Sequence, residues 1–178
     1  MRDVANCAGV STATVSLVLN KTRFVSEELT RRVTEAMDEL GYRPDAVARS
    51  LRRQSTETIA VLIPTILSPF YPAVLKAIDT AISAAGLSML FANSKEREES
   101  EANLISLMRQ KRVDSLLISL YSPSSLPLLE ELVGDNVPVV TFHRDLAAGR
   151  LDCVTWDDFG GSYAAVRHLF DSGRRRIA

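Results

Sequence analysis

From residue 58 onward the chain alternates short, almost wholly apolar runs with longer amphipathic stretches, and no other feature narrows the fold so far. The runs are TIAVLIP (58–64), LSMLFAN (87–93), VDSLLISL (113–120), VPVVTF (137–142) and DCVTW (152–156). Between and after them, helical periodicity covers 71–85, 96–110, 126–133 and 160–172. Strands without polar alternation are buried on both faces, which is the habit of parallel sheets covered by helices. Repeated strand–helix units predict a doubly wound α/β domain over 58–178 that meets ligands at the carboxyl ends of its strands.

The amino-terminal part follows another pattern. In DVANCAGVSTATVSLVLN (3–20) two short helical stretches meet at Gly9, Val10 and Ser11. Gly9 supplies the left-handed residue that ends one helix, Val10 plugs the turn, and Ser11 caps the next. Val15, Val18 and Leu19 form the inner stripe of that second helix, which leaves the short side chains Thr12, Ala13, Thr14 and Ser16, with Leu17, on its other sides. A helix so trimmed fits a DNA major groove; the plainer alternative is a helical hairpin in a small bundle. Ser26 then opens a third helix whose apolar face is expected to hold Leu29, Val33, Ala36, Met37 and Leu40, ending at Gly41. Three helices sharing one small core are expected over 1–44. DAVARSLRRQ, within the 45–57 connection, is too short to be a stable helix alone and reads either as a hinge helix that needs a partner copy or as a flexible linker.

Composition bears on function through its distribution. The net charge of −1 divides into nine basic against seven acidic side chains up to residue 54 and twelve against fifteen after it. Phosphate contact requires a local basic stripe, and Arg43, Arg49, Arg52 and Arg53 supply one opposed locally by Asp45 alone. No apolar run approaches the roughly 18 residues of a membrane span, and no secretory signal opens the chain, so a cytoplasmic address is expected. Cys7 and Cys153 have no metal-binding spacing and are expected to be buried thiols; no cofactor or metal is implied. GxGxxG, GxxxxGK[ST] and GxSxG are all absent, which counts against an enzyme of the doubly wound class.

These stretches, together with NKTRFVSEELTRRVTEAMDELGYRPDAVARSL, SPFYPAVLKAID, QKRVDSLLIS and GGSYAAVRHLFDSGRRRIA, resemble the lactose-repressor and purine-repressor family of bacterial transcription regulators over essentially the whole chain. The resemblance implies a sequence-specific regulator, a repressor that binds a palindromic operator in double-stranded DNA as a homodimer and answers to a small-molecule effector of the sugar or nucleobase class. It implies a helix-turn-helix domain (1–44), a hinge helix and linker (45–57), and the first subdomain of a periplasmic-binding-protein-type sensor (58–178), with the second subdomain absent.

Residue by residue, the resemblance places Thr12, Ala13 and Leu17 against bases and Arg23 against a base or phosphate. Ser11, Thr14, Ser16 and Asn20 fall on phosphates, Leu51 intercalates from the hinge, and Arg52 lies beside it in the minor groove. Leu17 stands where Arg or His is common, so an apolar contact to a thymine methyl replaces a hydrogen bond. Phe70 and Tyr71 fall where the family lines its effector cleft, although core or interface positions suit them equally. His143 and Arg144 fall at the cleft mouth where Asp and Arg are frequent. Trp156 and Asp157 replace a polar pair, so the cleft takes a different ligand or has lost one. A ligand-binding module without DNA function is the competing reading; it would need export, and its amino terminus would carry a helix-turn-helix without use.

Overall fold

The computed structural model describes residues 1–20, 23–43, 50 and 55–177. The hinge helix expected within 45–57, with Leu51 and Arg52, falls mainly outside the described residues. Two units, Met1–Gln54 and Ser55–Ala178, each carry their own core.

The first unit holds α1 (Arg2–Ala8), α2 (Thr12–Asn20) and α3 (Glu27–Glu39). Its core is Val4, Ala5, Ala8, Val15, Val33 and Ala36, with Val10, Val18, Leu19, Met37 and Tyr42 packed around it. Gly9 ends α1 at φ 62, and the Val10 N–H reaches back to the Ala5 carbonyl at 2.9 Å, the 6→1 bond of a Schellman turn. Ser26 caps α3 by accepting from the Leu29 N–H.

Two expectations fail here. Leu40 is 47% exposed and does not join the buried face. The helix stops at Glu39, Gly41 turns the chain at φ 59, and Tyr42, whose N–H bonds the Met37 carbonyl, packs on the core instead. Cys7 is exposed, because Val4 and Ala8 take the inner face of α1, and its thiol donates to Glu39 Oε2 at 3.4 Å. That bond, slight desolvation and the carboxylate's charge raise the thiol above its ordinary pKa.

The second unit is a five-stranded parallel sheet in the order β2-β1-β3-β4-β5, formed by β1 (Thr58–Ile63), β2 (Ser88–Asn93), β3 (Ser115–Ile118), β4 (Val139–Phe142) and β5 (Asp152–Val154). Its helices are α4 (Phe70–Ala84), α5 (Glu98–Gln110), α6 (Leu126–Gly134), entered through a 3-10 turn over Pro123–Ser125, and α7 (Asp158–Asp171). Alternate residues of β1 face opposite cores. Ala60 and Leu62 join Leu116, Ile118, Ile105 and Leu129 on the α5–α6 side, while Val61 and Ile63 join Tyr71, Ile82 and Phe142 on the α4 side. Burial on both faces therefore holds at the centre of the sheet. At the edges it does not: β2 is partly covered, Val154 of β5 is 58% exposed, and α7 contributes no buried residue.

Several boundaries shift for local reasons. The helix expected from 96 starts at Glu98 because Lys95 and Glu96 both sit at positive φ, and the helix expected from 160 starts at Asp158 because Asp157 caps it.

At the amino-terminal edge of the sheet, Asp114 gathers the segment that leads into β1. Its carboxylate accepts from the Ser55 hydroxyl at 2.5 Å, the Thr56 N–H at 2.7 Å, the Thr56 hydroxyl at 2.9 Å and the Glu57 N–H at 2.9 Å. Desolvation pushes the carboxyl up, but these bonds together outweigh it and hold the group below its ordinary value. A depressed folded-state value means a contribution that is complete above the unfolded value of about 3.9 and lost as pH falls through the lower folded one. The stability gap between the wild-type chain and Asp114→Asn is therefore expected to stay constant above about pH 5 and to shrink towards pH 2, as read from urea midpoints. A gap independent of pH across that range would show that the charge has no part in the clamp.

Candidate functional site

Two places carry the residues singled out by sequence. The first is α2 and its entry. Ser11 Oγ accepts the Thr14 N–H at 3.0 Å and bonds the Thr14 hydroxyl at 2.9 Å, so these two side chains fix the first turn. Asn20 Nδ2 donates to the Ser16 carbonyl and the Ser16 hydroxyl, which secures the last turn. Val15 alone on α2 is fully buried. Thr12 and Ala13 are exposed, and Leu17, half-buried, lies outside the core cluster that holds Val18 and Leu19. Arg23 is exposed after the helix, and Phe24 beside it is 93% exposed.

The turn ahead of α2 is clasped from behind. Arg32 of α3 donates through Nη2 to the Ala8 carbonyl at 2.6 Å and the Gly9 carbonyl at 3.2 Å. A cation on the last carbonyls of α1 satisfies acceptors that the helix leaves open and opposes the negative end of its dipole. Glu28 and Glu35 of α3 lie on either side of Arg31 in exposed pairs worth little on their own.

The second place lies at the carboxyl ends of the strands. The chain passes from β1 to β2 on one side and then to β3 on the other, so the topological switch point falls between β1 and β3. A cavity of about 200 Å³ opens there, lined by Pro64, Thr65, Ser68, Tyr71, Glu96, Ser119, Leu120, His143 and Arg144. The buried Tyr71 hydroxyl bonds Ser119 Oγ at 2.9 Å and His143 Nδ1 at 3.2 Å.

Phe70, His143 and Trp156 close into one aromatic cluster beside this cavity. Ring centroids are 5.0 Å apart for Phe70 and Trp156, 5.1 Å for Phe70 and His143, and 5.4 Å for the nearly parallel His143 and Trp156 rings. His143 reaches its position at φ 80, an uncommon backbone state for a side chain bearing Cβ, of the kind held at ligand sites at a cost of about 1–3 kcal/mol.

Sequence-nominated Phe70, Tyr71, His143 and Trp156 thus come together. Asp157 does not join them: its Oδ1 accepts the Gly160 N–H at 2.7 Å as the cap of α7. Thr65, Ser68, Glu96 and Ser119 were missed by sequence reading. Their one signal is position, in the residues just past a strand's end, where any doubly wound sheet meets ligands. Among the described residues no group of three or more His, Cys, Asp or Glu is placed to hold a metal ion, and no helix is long and apolar enough to cross a membrane.

A small helix-turn-helix followed by a doubly wound parallel sheet is the pairing of domains that two family profiles describe. The profile of bacterial regulatory proteins of the lacI family matches residues 1–45, and that of periplasmic binding proteins and the sugar binding domain of the LacI family matches residues 56–178. The chain belongs to the LacI family. It is 38% identical over 180 residues to the HTH-type transcriptional repressor PurR of Glaesserella parasuis serovar 5 (strain SH0165), covering 100% of this chain and 52% of that protein. The fold superposes on the lac repressor dimer bound to operator and the anti-inducer ONPF with a TM-score of 0.81 at 27% identity, over 99% of this chain and 53% of that one. A transcriptional regulator CelR–cellobiose complex matches with a TM-score of 0.57 at 28% identity, over 99% of this chain and 53% of that one. The chain spans about half the length of these relatives.

Proposed function

We propose that this chain is the DNA-binding and first sensor part of a transcriptional repressor that binds a palindromic operator as a homodimer in the cytoplasm. Residues 1–44 bind DNA, 45–57 connect, and 58–178 sense a small molecule. The observation that carries this reading is the outward ridge of Thr12, Ala13 and Leu17 on a helix fixed to its core by Val15. Short side chains there let the α2 backbone approach base edges, and Leu17 meets a thymine methyl. Ser11, Thr14, Ser16, Asn20 and Arg23 flank that ridge at phosphate-facing positions, with Leu51 and Arg52 acting from the hinge in the minor groove.

In the sensor, the polar cavity lined by Tyr71 and His143, with Phe70 and Trp156 beside it, takes a sugar- or nucleobase-sized effector, while Asp157 caps the helix that follows. The regulation is linkage: an effector that favours one arrangement of the dimer changes DNA affinity by that preference and no more. No catalytic step enters it.

Selection from random DNA with the chain tests the proposal. A palindrome should emerge, and its affinity should fall with salt by roughly 0.9 log units per log unit of salt for each phosphate contacted. A scrambled duplex should bind about a thousandfold more weakly. Equal retention of selected and scrambled duplexes would remove α2 from base recognition.

A further inference from the structure

The connection between DNA-binding helices and sensor enters the sheet at Ser55, and the chemistry around that entry is unusual. Asp114 presents both carboxylate oxygens to four donors from three consecutive residues, two of them backbone N–H groups. The Thr56 hydroxyl also reaches the Arg112 carbonyl at 3.1 Å, and the Asp114 N–H returns to the Thr58 carbonyl at 2.8 Å. Glu57 and Arg112, at φ 53 and 54, both hold left-handed backbone that residues with a Cβ seldom adopt. Such states persist only where the surroundings over-determine them: at Glu57 the bond of its N–H to Asp114 does so, whereas Arg112 is the left-handed residue of the turn that ends α5, its N–H on the Arg109 carbonyl and the Val113 N–H on the Met108 carbonyl.

Asp114 is also well founded. It directly precedes β3, whose Leu116 and Ile118 belong to one core and whose Leu117 packs on the other. At the far end of that strand Ser119 bonds Tyr71 in the cavity. The five residue steps from Asp114 to Ser119, at about 3.3 Å each, make a strut of roughly 17 Å from clamp to cavity, with Leu116 and Ile118 buried on one face and Leu117 partly buried on the other.

We infer that Asp114 is a positioning residue that rivets Ser55, Thr56 and Glu57 to the base of β3 and thereby sets where the connecting segment leaves the sheet, which in the dimer fixes the spacing of the two DNA-binding units. The spacing part rests on the proposed DNA function; the riveting does not. An exposed surface carboxylate would leave neighbouring amides to water, whereas a carboxylate taking two backbone N–H groups and two hydroxyls orders three residues at once.

Two measurements on the full chain decide the matter. In Asp114→Ala, amide exchange at Thr56 and Glu57 should accelerate at least about tenfold while Leu62 and Ile118 at the centre of the sheet keep their rates, the mark of local opening rather than unfolding. Asp114→Asn, with one acceptor oxygen left, should fall between. Unchanged exchange at Thr56 and Glu57 in the alanine variant would overturn the rivet, as would equal acceleration at all four amides.

The second readout uses the selected duplex and versions with one or two base pairs inserted between half-sites. Wild-type chain should discriminate against the insertions, and Asp114→Ala should lose most of that discrimination while still preferring the selected half-sites to scrambled ones. A merely structural role would weaken all duplexes alike. Retained spacing discrimination despite faster exchange would overturn the positioning role. Failure of selection itself would count against the DNA function, while the exchange rates at Thr56 and Glu57 would still decide whether the clamp exists.

Discussion

Replacing Gly9 by alanine is expected to cost the first unit roughly 1 to 5 kcal/mol, and to weaken the proposed DNA binding, while leaving the sheet intact. Two effects combine. Gly9 sits at φ 62, where a Cβ costs about 1–2 kcal/mol. A Cβ built there also lies 2.7 Å from Arg32 Nη2, the far end of a flexible side chain, so the guanidinium must shift and its bonds to the Ala8 and Gly9 carbonyls weaken or are lost. Hydrogen bonds to a charged group contribute about 1.5–3 kcal/mol. At about 0.05–0.15 kcal/mol per residue, a unit of some fifty residues holds only roughly 3 to 8 kcal/mol, so a loss at the upper end of that range takes it close to its unfolding midpoint.

Gly41→Ala supplies the comparison. Gly41 has φ 59 and no atom within 4 Å of a built Cβ, so it should show the backbone cost alone. Thermal melts monitored separately for each unit check both variants. If Gly9→Ala and Gly41→Ala lose the same stability, the Arg32 clasp contributes nothing.

The second large effect is expected at Glu101, a carboxylate on α5 with no solvent exposure. It accepts the Tyr121 N–H at 2.7 Å, the Ser122 N–H at 3.3 Å and the Ser125 hydroxyl at 2.7 Å. Glu98, one turn earlier, takes the hydroxyls of Ser122 and Ser124. The two acids thus fold the segment that leaves β3 just after Ser119 and Leu120, both of which line the cavity.

Glu101→Ala strands three donors and opens a void. At about 1–3 kcal/mol for each unsatisfied buried group, and with partial entry of water, the loss should be roughly 3 to 5 kcal/mol in urea denaturation of the second unit. Glu101→Gln keeps one acceptor oxygen and turns an NH₂ towards a donor, so it should fall between. A loss below about 1 kcal/mol for the alanine variant would mean that water replaces the carboxylate fully.

The helix-turn-helix was legible because its signals are local. Gly9, Ser11, Ser26 and Gly41 act within one or two turns of themselves, and the spacing of Val15, Val18 and Leu19 names the inner face of α2 without reference to any partner. The sheet was legible for the same reason, since its apolar runs admit few other arrangements.

Leu40 and Cys7 were misread because their exposure depends on where α3 stops and which face α1 turns to the core. The cleft was half legible. Phe70, Tyr71, His143 and Trp156 could be nominated from their places after strands, but their closure into one aromatic cluster, and the diversion of Asp157 to cap α7, were not.

By itself the sequence determined the kind of each element and the order of the two units, since hydrophobic period, caps and turn residues exert their energies over a few residues of chain. Only the tertiary structure decided that Arg32 clasps the turn at Gly9, that Glu101 holds the segment at Ser122, and that Asp114 grips Thr56. Those bonds join residues 20 to 58 positions apart. A charged side chain far along the chain finds its partner only once burial of the apolar faces has brought the two elements together and excluded the water that would otherwise solvate both.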